Sequence, residues 1–150
     1  MPGGTRGFDP GRLRALRGDR GLTQAELAKG VGVRRTYLVQ WERLGGRATA
    51  PTAPMLRRLA DVLQVRPCDL TCIEPEQALL SDLRAWAGLS QPDLARALQV
   101  PETTLSAVER GQRPLHASLA ERLTVYLGVT VDEIQRAYDL ARQGSVDSAG

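Results

Sequence analysis

Two adjacent arginines, Arg34 and Arg35, lie in the segment GVRRTYLVQWERLG at 32–45. Guanidinium groups bind phosphate and base edges well. A similar segment, QVPETTLSAVERG at 99–111, has proline and glutamate in the corresponding places, and a carboxylate repels phosphate. If 34–43 is a helix, cations at its start oppose the helix dipole. A polyanionic partner would explain them better than a solvated helix end.

Both segments belong to a long repeat. A shift of 67 residues aligns 13–43 with 80–110 and gives 13 identical positions without a gap. The match continues at a shift of 64 through 58–65 and 122–129. The first repeat therefore carries three extra residues, in its LGGRATAPT loop. A repeat of this length predicts two small domains.

Each repeat is predicted to fold as short helices. Thr23-x-x-Glu26 has the spacing of a capping box, and so does Thr130-x-x-Glu133 before the last helix. No segment alternates with period two, so no strand is predicted. The main predicted helices lie at about 10–19, 23–31, 34–43, 54–63, 67–70, 117–127 and 130–142, with another starting near 101.

A seam of apolar residues links the second and third predicted helices. Its members are Leu22, Leu27, Ala28, Val31, Val33, Leu38 and Trp41. Two short helices joined by a tight turn and such a seam form a helix-turn-helix. The segments LTQAELAKGVGVRRTYLVQWERLGG and LSQPDLARALQVPETTLSAVERG each resemble the lambda-repressor/Cro-like family, also called the XRE family. The resemblance covers about 11–71 and 80–135.

The resemblance implies an all-α fold with two tandem lambda-repressor-like five-helix helix-turn-helix domains joined by a short linker. We expect a basic, DNA-reading domain at 8–72 and an acidic, structural or dimerising domain at 75–143. The tails 1–7 and 144–150 are expected to be disordered.

In this family the third helix lies in the major groove, which implies residue roles in the first repeat. The implied base-reading residues are Arg35, Thr36 and Gln40. Arginine pairs well with guanine, glutamine with adenine, and threonine offers a hydroxyl or a methyl contact. The implied DNA-backbone residues are Gln24, Arg34, Tyr37, Arg43 and Arg47. Tyr37 could equally be a simple surface residue.

The second repeat places Gln91, Glu102, Thr103 and Ala107 at the equivalent positions. The carboxylate of Glu102 could accept a hydrogen bond from the cytosine amino group, but no basic residue precedes Arg110 in that helix. We therefore favour a structural or dimerising copy over a second DNA reader. The pairs Arg17/Glu42 and Arg84/Glu109 match a structural ion pair of the family, and Trp41 is expected in the core.

Four residues of the second repeat are candidates for an interface. Trp86 replaces the surface residue Asp19 of the first repeat, and it could fill a contact between repeats or between subunits. Val131, Ile134 and Tyr138 recur at helical spacing on the last helix. That stripe could dock on the first repeat or on a second subunit.

Composition separates the two halves by charge. Residues 1–71 carry 13 Lys+Arg against 6 Asp+Glu, a net +7, whereas 72–150 carry 7 against 11, a net −4. This asymmetry suggests that only one half faces a polyanion. Nearly all the basic residues are arginine, which is typical of a GC-rich bacterial coding sequence. No apolar run is long enough for a membrane span, and no signal peptide is recognisable.

Other chemistry has little support. Cys68 and Cys72 are the two cysteines and His116 is the only histidine, too few for a four-ligand zinc site. We expect small buried thiols, no metal and no cofactor. Without a Gly-rich phosphate loop or clustered carboxylates, no catalytic set can be assembled, so an enzyme is the least favoured class.

The leading hypothesis is a sequence-specific transcriptional regulator that binds double-stranded DNA. The family resemblance favours a repressor over an activator. A homodimer on a near-palindromic site is favoured, and a single chain reading two unlike half-sites is the variant. The rival class is a protein-interaction module of the same fold, such as an antitoxin or a transcription adaptor. Either would be cytoplasmic, and the regulator would be nucleoid-associated.

Overall fold

A computed structural model describes residues 4–43 and 49–149, with side chains up to 144. The chain divides into two compact units, Met1–Ile73 (unit 1) and Glu74–Gly150 (unit 2). The division falls between the predicted domains 8–72 and 75–143. The fold is all-α, as predicted, and the described residues form no β-strand. No helix in the described part is long and apolar enough to cross a membrane.

The described residues of unit 1 form four α-helices and a terminal 3-10 helix. They are α1 Pro10–Asp19, α2 Gln24–Val31, α3 Arg35–Trp41, α4 Ala53–Leu63 and the 3-10 helix Pro67–Leu70. Unit 2 opens with a 3-10 helix and continues with five α-helices. They are the 3-10 helix Pro75–Gln77, α5 Leu80–Trp86, α6 Gln91–Leu98, α7 Glu102–Glu109, α8 Ala117–Leu127 and α9 Val131–Ala149.

The predicted capping boxes are confirmed. Thr23 Oγ1 accepts from the Glu26 N–H at 3.1 Å, and the Glu26 carboxylate accepts from the Thr23 N–H at 3.0 Å. Thr130 and Glu133 make the same reciprocal pair before α9, at 3.1 and 2.8 Å. Each box satisfies two backbone donors that a helix start leaves open, and it therefore fixes where the helix begins.

The last helix extends further than predicted. The sequence suggested an end near Arg142 and a disordered tail from 144, whereas α9 continues to Ala149. No proline follows Val131, and Gly144 lowers helix propensity by only about 1 kcal/mol relative to alanine, too little to stop a helix.

The N-terminal tail also differs from the prediction. Thr5 is buried, and both its hydroxyl and its N–H donate to the Pro51 carbonyl, at 2.8 and 3.0 Å. The sequence gives no local signal for this contact because its partner lies far along the chain. Residues 4–7 are therefore part of unit 1.

The core of each unit is built mainly from leucine. The fully buried large side chains of unit 1 are Leu13, Leu27, Leu38, Leu56, Leu59, Leu63 and Leu70, and those of unit 2 are Leu94, Leu98, Leu105, Leu123 and Ile134. The predicted seam between α2 and α3 is confirmed, with Leu22 and Val33 only half-buried at its edges. Trp41 is a core residue, 4% exposed.

Candidate nucleic-acid interface

The turn between α2 and α3 is closed by one carbonyl. The N–H groups of Gly32 and Val33 both donate to Ala28 O, at 2.9 and 3.0 Å. Gly32 has φ +88°, a left-handed conformation that glycine adopts without strain. With Leu38 and Trp41 buried against α2, the opposite face of α3 is presented to solvent.

The sequence-predicted residues gather on that exposed face. Arg35, Thr36 and Gln40 are all exposed, and Thr36 and Gln40 lie one helical turn apart. The structure places Arg34 at the N-cap, with extended backbone, rather than inside the helix. Its side chain is exposed at the start of the helix.

The implied backbone-contacting residues divide into three cases. Tyr37 and Arg43 are exposed, and the Tyr37 ring lies 6.2 Å from that of Trp41. Gln24 is half-buried at the start of α2. Arg47 lies outside the described residues.

A chain of hydrogen bonds connects the core to the exposed face of α3. Arg17 Nε and Nη2 donate to the two carboxylate oxygens of Glu42, at 2.6 and 2.9 Å. Gln24 Nε2 donates to Glu42 Oε1 at 3.3 Å, and Arg35 Nη2 donates to Gln24 Oε1 at 3.2 Å. A buried ion pair thus orients Gln24, and Gln24 orients the guanidinium of Arg35.

The predicted structural role of the Arg17–Glu42 pair is confirmed by its geometry. Glu42 is 5% exposed, and Arg17 also donates to Leu22 O at 2.8 Å. Hydrogen bonding to Glu42 raises the pKa of Arg17 above its ordinary value, against the opposing effect of burial. Because Glu42 is the one acidic residue in 34–43, the exposed face of α3 carries only positive charge.

Unit 2 repeats this scaffold but lacks the last link. Arg84 donates to Glu109 at 2.7 and 3.3 Å, and Gln91 Nε2 donates to Glu109 Oε1 at 2.9 Å. Exposed Glu102 occupies the position of Arg35, and a carboxylate has no N–H to donate to Gln91. Thr103 is also exposed, whereas Ala107 is half-buried.

The last helix lies against the turn that follows α7. Gly111 has φ +72°, and a Cβ built there would lie 2.6 Å from Arg142 Cα and 2.7 Å from Arg142 N. The corresponding turn of unit 1 is where the family resemblance places DNA-backbone contacts. In unit 2 this place is therefore occupied by α9 backbone, which sequence reasoning missed. The sequence held one signal for this close approach. The second repeat has Gly111 where the first has Leu44, and glycine lets another backbone come close.

The stripe on α9 packs within its own unit. This helix contacts α5, α7 and α8. Ile134 and Tyr138 are buried, and the Tyr138 hydroxyl donates to Arg113 O at 2.9 Å. These two side chains therefore serve the core of unit 2 and are not free to dock on a partner. Val131 remains 44% exposed.

The role of Trp86 at an interface stays a prediction. The side chain is half-buried, and its buried indole N–H has no acceptor among the described residues. No hydrogen bond therefore identifies what packs on it, and its assignment to an interface is untested.

The cysteines are free thiols with different surroundings. Cys68 is half-buried, and burial raises the pKa of its thiol, which disfavours the reactive thiolate. Cys72 is exposed, contrary to the expectation of a buried thiol. Within the ranges 4–43 and 49–144, no three His, Cys, Asp or Glu side chains cluster as metal ligands would.

Comparison with known families gives two matches in tandem. The family described as "Helix-turn-helix" matches residues 13–70, and that described as "Helix-turn-helix domain" matches 78–137. No curated protein and no solved structure gives a significant match. The matches coincide with the two copies of the α2–turn–α3 arrangement and its ion pair. The chain therefore carries two helix-turn-helix domains in tandem, the first of the XRE type of DNA-binding regulators, and this arrangement is consistent with two XRE-like copies.

Proposed function

We propose that the protein is a sequence-specific regulator that inserts α3 of unit 1 into the major groove of double-stranded DNA. Arg35, Thr36 and Gln40 read base edges there. The observation that carries this proposal is the hydrogen-bonded chain from Glu42 through Gln24 to Arg35. It presents a guanidinium in a defined direction with only one of its nitrogens bonded to a described residue, and the others can bond guanine O6 and N7.

The remaining basic and polar groups of unit 1 bind the DNA backbone. Arg34, Tyr37 and Arg43 are exposed around the reading residues, and Gln24 keeps a second amide N–H for a phosphate oxygen. Arg47 belongs to this set by its place in the following loop. Such contacts make affinity fall with salt without adding sequence preference.

The proposed assembly is a homodimer on a near-palindromic site, with two α3 helices about 34 Å apart in successive major grooves. In the alternative arrangement, in which one chain reads two unlike half-sites, α7 of unit 2 would have to read the second half-site. Glu102 at the start of α7 and α9 backbone beside Gly111 both argue against it. A footprint occupied by two chains symmetrically supports the homodimer. Bound near a promoter, such a dimer would act as a repressor within the cytoplasmic nucleoid.

The test is a selection of bound sequences from random DNA at fixed salt, with unaltered protein and with Arg35→Ala. We expect the substitution to cost about 1–3 kcal/mol of binding free energy and to relax preference at one base pair. Arg136→Ala, an exposed arginine of α9 and the same loss of charge, is the control and should change neither quantity. Equal affinity for selected and random DNA in unaltered protein would reject the proposal.

One observation favours the rival function, a protein-interaction module. Tyr37 and Val39 are 51% and 42% exposed on the same helix as the arginines, and exposed apolar side chains are common in protein interfaces. That function predicts that Tyr37→Ser with Val39→Ser abolishes activity in the cell while Arg35→Ala leaves it intact. The regulator predicts the larger loss for Arg35→Ala, and for the double variant only the smaller loss of DNA affinity that follows from removing the Tyr37 backbone contact.

A further inference from the structure

Unit 2 contains a cavity of about 640 Å³ between its helix-turn-helix and α9. Gln91, Ser106 and Arg110 line one side, and Leu140, Ala141 and Gly144 of α9 line the other. This volume lies within the range of about 300–1,000 Å³ that is usual for small-molecule sites.

The charges around the cavity favour an anion. Arg84 and Glu109 line it as a bonded pair with Nε–Oε2 at 2.7 Å, so their charges offset each other. Arg110 also lines it, is exposed and forms no ion pair with any described residue. The cavity therefore carries one uncompensated positive charge in a unit that is acidic as a whole.

The polar groups beside Arg110 are of the kind that orients a bound anion. The hydroxyls of Ser81 and Ser106 and the amide of Gln112 line the cavity, and the hydrogen bonds within the described part of the chain do not engage them. Leu79 and Leu140 supply an apolar wall. A cationic anchor, neutral donors and an apolar wall together suit an organic anion better than a free inorganic ion.

The position of the cavity excludes a duplex as its occupant. Gln91 and Arg110 correspond in the repeat to Gln24 and Arg43, which we propose to bind the DNA backbone in unit 1. In unit 2, α9 lies beside them, with Arg142 Cα 2.6 Å from where a Cβ of Gly111 would lie. The same residue types thus line a cavity that is open to solvent and has α9 as one wall.

We propose that unit 2 binds a small organic anion in this cavity, with the carboxylate or phosphate on Arg110 and the apolar body against Leu79 and Leu140. This inference goes beyond the proposed function, because it concerns unit 2 and needs no DNA. A ligand held there would contact both the turn after α7 and the last turns of α9.

The experiment titrates the full chain with octanoate and follows backbone amide resonances by NMR. We expect saturable shifts at residues 106–112 and 140–144, and no such shifts with octyltrimethylammonium, which has an alkyl tail of similar length and the opposite charge. Arg110→Gln should weaken octanoate binding by about tenfold, the loss of one charge-assisted contact. Arg113→Gln, an equal loss of charge at an exposed residue outside the cavity lining, should leave it unchanged.

A second variant, Gly144→Leu, tests the same site without removing Arg110. A Cβ on Gly144 would meet nothing within 4 Å, so Gly144→Leu is compatible with the helix and adds a side chain beside the cavity. It should reduce octanoate binding while the helical circular dichroism stays the same. Shifts scattered over both units, equal binding of the cationic probe, or unchanged affinity in the folded variants would overturn the proposal.

Discussion

In unit 1, α3 begins with exposed arginines, whereas α7 of unit 2 begins with exposed Glu102. Beneath them the two units share the same arrangement. Glu42 and Glu109 each accept from an arginine of the first α-helix of their unit, α1 or α5, and from the glutamine that opens the next helix, α2 or α6. The bonded scaffold is thus common to both units, while the residue that continues it into solvent is not. The comparison separates what maintains the fold from what contacts a partner.

The units also differ in what lies beside the turn after α3 or α7. In unit 2, α9 packs its backbone against Gly111, and unit 1 ends with the short 3-10 helix Pro67–Leu70. In unit 2 an additional helix, α9, therefore covers the place that corresponds to the proposed DNA-backbone contacts of unit 1. Glu102 in place of an arginine and the presence of α9 both disfavour DNA binding by unit 2.

The largest expected effect is on the shared scaffold. Glu42→Ala and Glu109→Ala each leave a mostly buried arginine without its partner, and we expect each to lower the free energy of unfolding of its own unit by about 3–5 kcal/mol. Urea unfolding followed by tryptophan fluorescence can assign the loss, since Trp41 lies in unit 1 and Trp86 in unit 2. A loss in one unit only would mean that the two ion pairs are not equivalent.

The next effect separates two glycines with positive φ. Gly32→Ala should cost about 1–2 kcal/mol of stability from backbone strain alone, because the nearest atom to its Cβ is 3.9 Å away. Gly111→Ala should cost more, since its Cβ would also meet Arg142 backbone at 2.6 Å. Thermal unfolding of the two variants gives the order. Equal losses would mean that α9 does not hold its place against the turn.

A smaller effect tests the glutamines. Gln24→Ala should weaken DNA binding by about 1 kcal/mol, because Arg35 loses the bond that orients it. Gln91→Ala is the matched change in unit 2 and should leave DNA affinity unchanged. Fluorescence anisotropy on a selected site, at one salt concentration, compares them. An equal loss in both variants would place unit 2 on the DNA.

The smallest effect concerns pH and the start of α2. The Thr23 N–H, and then its hydroxyl, lower the pKa of Glu26, so the folded pKa lies below the unfolded value. Its contribution to stability is therefore complete above the unfolded pKa and is lost as the pH falls through the folded pKa. Stability measured against acidic pH should lose part of its slope in Glu26→Gln. Ser90→Ala, at the cap of α6, should leave that slope in place.

Much of the fold could be predicted from the sequence because its determinants are local or repeated. Capping boxes indicated the starts of α2 and α9, and the pairing of Arg17 with Glu42 was implied by the family resemblance and supported by its recurrence in the second repeat. The reading residues on α3 were implied by the family resemblance, and the burial of Leu38 and Trp41 is consistent with their lying on the opposite, exposed face.

What could not be predicted depends on contacts between distant segments. The bond from Arg35 to Gln24 requires the starts of α2 and α3 to approach each other, which no local pattern specifies. The stripe on α9 was recognised, but periodicity cannot tell which surface it packs on. The first repeat and a second subunit were the two surfaces considered, whereas Ile134 and Tyr138 are buried in unit 2 itself. The position of α9 beside Gly111 follows from the packing of Ile134 and Tyr138 in unit 2.

The most direct test of the account exchanges the charges at the two equivalent positions. Arg35→Glu and Glu102→Arg are each measured for affinity and sequence preference on the selected site at fixed salt. We expect Arg35→Glu to abolish specific binding and Glu102→Arg to leave the preferred sequence unchanged. Retained specificity in Arg35→Glu, or a new base preference in Glu102→Arg, would contradict the claim that unit 1 alone reads DNA.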